Sequence, residues 1–298
     1  NGYMTSGSPY SDTYIFQSIW FNFPSNQPRE IPAELTGQLE DAREAAFNND
    51  DAWIIENSSG GRRSRTFYYS FHPGHQLRLN IDETDADVSG YERWTNYETA
   101  ETGVKYSDSR GDWVRTSFTS RADNVSITKL TKSSSGEKIN MTISIDDISV
   151  MSKAGRNNPT RVDQMQYKKL VDDSASYIAQ VAHYPSYSGS ELARAGYAGV
   201  TQVITVGGSK ERVTLEDTGE SINVGADKDP AIKITEADEV YLITKLDRDT
   251  DMGEFSQFAA ADSYDIVNEL YADTQAVAAK YGADGGFDYD SALSAQRE

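Results

Sequence analysis

FHPGHQLRLNIDE at 71–83, YERWTNYETAETGVKYSDSRGDWVRTSFTSRADNVSITKLT at 91–131 and KINMTISIDD at 138–147 decide the fold of this chain. Apolar residues recur at Leu77, Leu79 and Ile81, at Val125, Ile127 and Leu130, and at Ile139, Met141, Ile143 and Ile145. Alternation of that kind sets one face of a strand on a core and turns the other to solvent. Compact breakers separate the runs at Ser89-Gly90, Ser107 to Asp112 and Ser133 to Gly136. The stretch therefore reads as an antiparallel meander.

Outward from it, Pro32 to Phe47 reads as a helix closed by the Asn48 to Asp51 cluster, and Thr66 to Ser70 as a strand. Met151 to Thr160 reads as a polar loop. Strand candidates follow at 165–170, 176–183, 200–206, 221–224, 231–235 and 239–246, with a flexible excursion over Ser186 to Gly199. At least about twelve short strands punctuated by turns imply a mainly β chain, a large two-sheet antiparallel sandwich of residues 1–250. From Glu254 the period changes to helical through Phe258, Ile266, Leu270 and Ala279 up to Gly282, and a second helical start follows from Tyr289. Residues 251–298 thus form a helical linker.

Several functions are excluded by composition. The net charge of −19, from 28 basic and 47 acidic residues, repels phosphate backbones and anionic lipid, so nucleic acid and membranes are not expected partners. With no cysteine, disulfides, thiolate metal sites and cysteine nucleophiles are impossible. No apolar run has the roughly 18–20 residues of a membrane span. An export leader would have been removed or would lie upstream of Asn1.

The sequence of the meander resembles the N-terminal β-sandwich domain of glycoside hydrolase family 95, the α-L-fucosidase family. The resemblance rests on Gly74, Leu77-Arg78-Leu79, Tyr91-Glu92-Arg93-Trp94, Glu98-Thr99-Ala100, Gly103-Val104-Lys105-Tyr106, Trp113-Val114-Arg115, Phe118-Thr119-Ser120-Arg121 and Asp123-Asn124-Val125, in the family's order and near its spacing. Asn1-Gly2-Tyr3-Met4 is similar to the family's opening motif, and Val240 to Leu246 to the end of its domain. The resemblance implies an intact inverting enzyme that removes terminal α-L-fucose, or α-L-galactose, from glycans. It also implies an (α/α)6 catalytic barrel beyond the linker, a secreted or periplasmic location and no cofactor. This chain departs from the family before Ser18-Ile19-Trp20, where polar residues are replaced by Ile15, Phe16 and Gln17. It also carries Gln296 after Ala292-Leu293 where the family often has histidine.

An inverting glycosidase needs an acid and a base carboxyl roughly 6.5–9.5 Å apart. The family's catalytic residues lie in the barrel and nothing here matches them, so no catalytic residue is expected in this chain and by itself it should be inactive. Trp20, Trp94 and Trp113 are the large aromatics of matching segments; each is expected in the core, with a sugar platform as the alternative. His75 is the histidine that could stand beside a sugar-facing loop. Pro73-Gly74 between His72 and His75 makes a turn rather than a ligand face, and no metal is expected there. Asp247 to Asp251 has the alternating acids of a calcium loop, but Met252 and Phe258 stand where an EF-hand needs glycine and glutamate. Arg110-Gly111-Asp112 and Gly207-Gly208 read as turns. Three other readings stay open: a free-standing carbohydrate-binding sandwich, an extracellular scaffold, and the related sandwich that precedes the barrels of maltose- and trehalose-phosphorylases. The Tyr91 to Val125 pattern favours the fucosidase type over the last.

Overall fold

The computed structural model describes residues 3–16, 19–22, 34–50, 69–72, 74–82, 87–133, 137–146, 166–183, 196–216, 228–249, 264–283 and 286–297. Two compact units arise: Trp20–Phe71, and Asn1–Ile19 with His72–Glu298. The smaller contains helix α1 (Glu34–Phe47) and all but the boundary residues Ile19 and His72 of the paired strands β3 (Ile19–Asn22) and β4 (Tyr69–His72). The helix stops because Asn49 turns left-handed at φ 51°, so that Asp50 N donates back to Ala45 O at 2.9 Å.

The larger unit is a sandwich of two antiparallel sheets. The six-stranded sheet runs β1 (Tyr3–Thr5), β2 (Ser11–Phe16), β5 (His75–Ile81), β10 (Ile139–Ile145), β15 (Lys228–Ala237), β14 (Ser209–Glu216). The eight-stranded sheet runs β11 (Gln166–Val171), β12 (Tyr177–His183), β13 (Gly196–Val206), β16 (Glu239–Asp249), β9 (Val125–Lys132), β8 (Gly111–Ser120), β7 (Glu101–Asp108), β6 (Ser89–Asn96). The alternating residues of β5 and β10 meet those of β15 and β16 in one buried core: Leu77, Leu79, Met141, Ile143, Ile232, Ile234, Val240 and Leu242.

The central strands of the eight-stranded sheet are buried on both faces. Helix α2 (Asp265–Lys280) sets Ile266, Val267 and Leu270 against Ala179, Val181, Ala198 and Val200 on its outer side. Helix α3 (Tyr289–Ala295) and the small hairpin of β17 (Gly282–Ala283) and β18 (Gly286–Phe287) set Phe287, Tyr289 and Leu293 against Phe118, Ile127 and Ile243. Burial on both faces accounts for the unbroken apolar run Val240-Tyr241-Leu242-Ile243, whose residues alternate between the interior and the helices. It also corrects the expected phase of β9: Leu130 faces the interior, whereas Val125 and Ile127 face the helices. The C-terminal helices are thus packed parts of the sandwich. Among the described residues no helix is long and apolar enough to cross a membrane.

Two other expectations change. Gly196 to Gly199, read as the end of a loop, lie inside β13; the 186–195 part of that loop and the 221–224 strand candidate fall outside the described residues. β14 was not anticipated, although the Gly207 and Gly208 turn that leads into it, both at positive φ, was. Its sequence SKERVTLE carries Lys210, Glu211 and Arg212, charges that suit a sheet edge.

Both ends of this unit fasten to the start of β7. Tyr3 Oη and Thr102 Oγ1 are hydrogen bonded at 2.5 Å, Tyr289 Oη donates to Glu101 Oε1 at 3.2 Å, and Gln296 Nε2 donates to Thr99 O at 2.9 Å.

Candidate functional site

Two of the sequence-predicted site residues lie in the interior. His75, on the core side of β5, has no exposed surface. Its Nε2 is hydrogen bonded to Thr201 Oγ1 at 3.0 Å, and Thr201 to Thr244 Oγ1 at 2.8 Å, so a polar chain joins the two sheets. The threonines are opposite partners on β13 and β16, the usual setting for such a pair. Nδ1 has no hydrogen-bond partner among the described residues. Burial drives the imidazole pKa down from 6.5 to about 3, leaving it neutral. The ring fits because Gly199 faces it: a Cβ at 199 would stand 2.7 Å from Nδ1.

Trp113, also without exposed surface, stacks on Tyr106 with ring centres 5.9 Å apart and planes 8° from parallel. The Arg110 guanidinium lies 4.7 Å from its ring centre, and Asp108 accepts from Arg110 Nη2 at 2.8 Å and from Tyr10 Oη at 2.9 Å. Burial pushes the Asp108 carboxyl up, but these donors outweigh it and hold the pKa at about 2. The Arg110-Gly111-Asp112 sequence is thus a hairpin corner that caps a core tryptophan.

A second interior polar centre was not recognised in the sequence. Asp12 shares the alternation of Tyr14 and Phe16 on β2, and that acid in an apolar phase was the available signal. Its carboxylate pairs with Arg115 and accepts from Thr5 Oγ1 at 2.7 Å, Ser6 Oγ at 2.6 Å and Gly7 N at 3.0 Å. Arg115 also donates to Tyr14 Oη at 3.2 Å and to Ser8 O at 3.0 Å. The arrangement neutralises a buried charge and anchors the N-terminal strand.

Trp94 is the one surface candidate whose side chain is described. It stands half-buried on edge strand β6, opposite Gly103 of β7. A Cβ on Gly103 would lie 2.1 Å from its Cζ2, so the benzenoid ring occupies the place of a side chain at 103. Glu92 and Lys105 form an ion pair of 2.9 Å one step along the same face, and Tyr97, 93% exposed, tops the following turn. Trp20 lies on β3, where the side chains fall outside the described residues. The three candidates with described side chains do not converge on one pocket: His75 and Trp113 are in the core and Trp94 is on an edge. Of the acidic run, Asp247 and Asp249 lie on β16, and Asp251 is outside the described residues. Among the described residues no three metal-ligating side chains come together.

Residues 2–252 match the family model described as the N-terminal domain of glycosyl hydrolase family 65. The family matched is therefore 65; the match extends to a glycoside hydrolase N-terminal domain and not to family 95 in particular. Among solved structures, a putative kojibiose phosphorylase from the human microbiome is similar over 76% of this chain at 6% identity, with a TM-score of 0.44. The chain spans 27% of that protein's length. Curated proteins give no match.

Proposed function

Because this chain belongs to the glycosyl hydrolase family 65 N-terminal domain family, we propose that it is the non-catalytic front unit of a glycosidase whose catalytic domain follows. The match over residues 2–252 carries this reading. The inward placement of His75, Asp12 and Arg115 supports it, because their polar groups are committed to holding the sandwich. In this reading α2 and α3 lead toward an (α/α)6 barrel, and the unit shapes the sugar pocket from one side.

The finer assignment is an inverting enzyme of the α-L-fucosidase or α-L-galactosidase type, acting on fucosylated or galactosylated glycans outside the cytoplasm. It rests on the ordered segments between Tyr91 and Val125. The test is a release assay on the intact protein with fucosylated oligosaccharides, run with and without phosphate, beside the 298-residue chain alone. Phosphate-independent release of fucose, first as the inverted anomer, by the intact protein and none by the chain is the expected result. Phosphate-dependent formation of a sugar phosphate would replace the fucosidase assignment with a phosphorylase. Release by the chain alone would overturn the non-catalytic reading.

A further inference from the structure

We infer that the outer face of β6 and β7 around Trp94 is an ancillary carbohydrate-binding site, which takes one neutral pyranose ring of a glycan on the indole. β6 ends the eight-stranded sheet, its other residues are exposed, and Trp94, only half-buried, keeps part of its surface open to solvent. The other flank is the backbone of Gly103, which lets the ring settle onto the sheet instead of standing away from it. An amphipathic ring fixed in this way offers a large apolar surface at little entropic cost, which suits the C–H face of a pyranose.

Polar groups stand on both sides of the ring along the same face. Two residue pairs away, the next position on that face, Glu92 and Lys105 form their 2.9 Å ion pair with side chains 56% and 50% exposed, a carboxylate and an ammonium beside the ring. On the opposite side, Glu101 accepts from Tyr289 Oη, which holds α3 against this edge. An apolar platform with a few fixed donors and acceptors is the usual composition of a small-ligand site. A neutral sugar is the fitting occupant because Glu92 and Lys105 compensate each other's charge, and because the family acts on carbohydrate.

Packing against Gly103 could alone account for a tryptophan here, and the experiment separates the two. Methyl α-L-fucopyranoside, 2′-fucosyllactose and lactose are titrated against the full 298-residue chain, with saturation-transfer NMR and tryptophan fluorescence as readouts. Saturable binding of at least one probe is expected. It should weaken about tenfold or more in Trp94→Ala and several-fold in Glu92→Ala, while both variants keep their circular dichroism. If Trp94→Ala does not fold, Glu92→Ala decides, since its side chain is exposed. No saturable binding of any probe, or wild-type binding by a folded Trp94→Ala or by Glu92→Ala, overturns the site. Only the choice of fucosyl probes rests on the proposed function. Binding without fucose release by the intact protein would sink the fucosidase assignment and leave this site standing.

Discussion

His75 and Gly199 share one volume: the imidazole from the six-stranded sheet fills the space that a side chain at 199 on the eight-stranded sheet would need. Gly199→Ala brings a methyl group to 2.7 Å from Nδ1 and 2.8 Å from Cγ, closer than any relaxed contact. We expect a loss of about 1–3 kcal/mol from overpacking. In a His75→Ala background the same substitution should cost much less. Urea denaturation of the four-member cycle measures the coupling, and additive effects would show that the two residues do not compete.

The same histidine makes the fold acid-sensitive. Its folded pKa of about 3 lies below the unfolded value near 6.5, so between those limits the unfolded chain binds the proton and the folded chain does not. Stability from this group is complete above about pH 6.5 and falls as pH drops toward 3, by up to about 1.4 kcal/mol per pH unit. His75→Gln should flatten that limb of the stability–pH curve, measured by denaturation midpoints from neutrality to mild acid. An unchanged slope would mean that other groups set it.

Asp12 and Arg115 form a pair that is almost entirely closed to solvent. Removing one partner leaves the other charge buried, so Asp12→Ala should destabilise by about 3–5 kcal/mol. It should also free the turn at Ser6 to Ser8, detected as new protease cleavage there. Replacing both residues with apolar ones of similar volume should cost less than either single change.

Val267 has no exposed surface and sits with Leu270 over Val200 and Ala198. Val267→Asp places an unpaired carboxylate in that contact and should cost at least about 3 kcal/mol. Truncation after residue 264 should expose the outer face carrying Phe118, Ile127 and Ile243, with dye binding and aggregation as readouts. A truncated chain that stays free of aggregates with the same melting temperature would show the helices to be appendages.

What the sequence made legible was the phase of its strands. Leu77 and Leu79 on β5, and Met141 to Ile145 on β10, alternate because only one face of the six-stranded sheet meets the core. The central eight-stranded strands were harder to orient, since Val240 to Ile243 serve two cores and an alternation filled on both phases loses its direction. β14 escaped because only Val213 and Leu215 interrupt its polar residues, as an edge strand permits. Gly199 read as loop because its reason for being glycine, His75, lies on the other sheet and 124 residues away in sequence. The surface features of Trp94 were legible only as a residue type; its seat on Gly103 needed the β6–β7 register.

Tyr3 and Gln296 reach the same short stretch, Thr102 and Thr99, from opposite ends of the chain. Topologically the unit is close to a ring. A short flexible linker joining the two ends, with a new opening cut in the exposed turn at Tyr97, should give a permuted chain with the same fold. The order in which the strands are synthesised could then be changed while their neighbours in space stay the same.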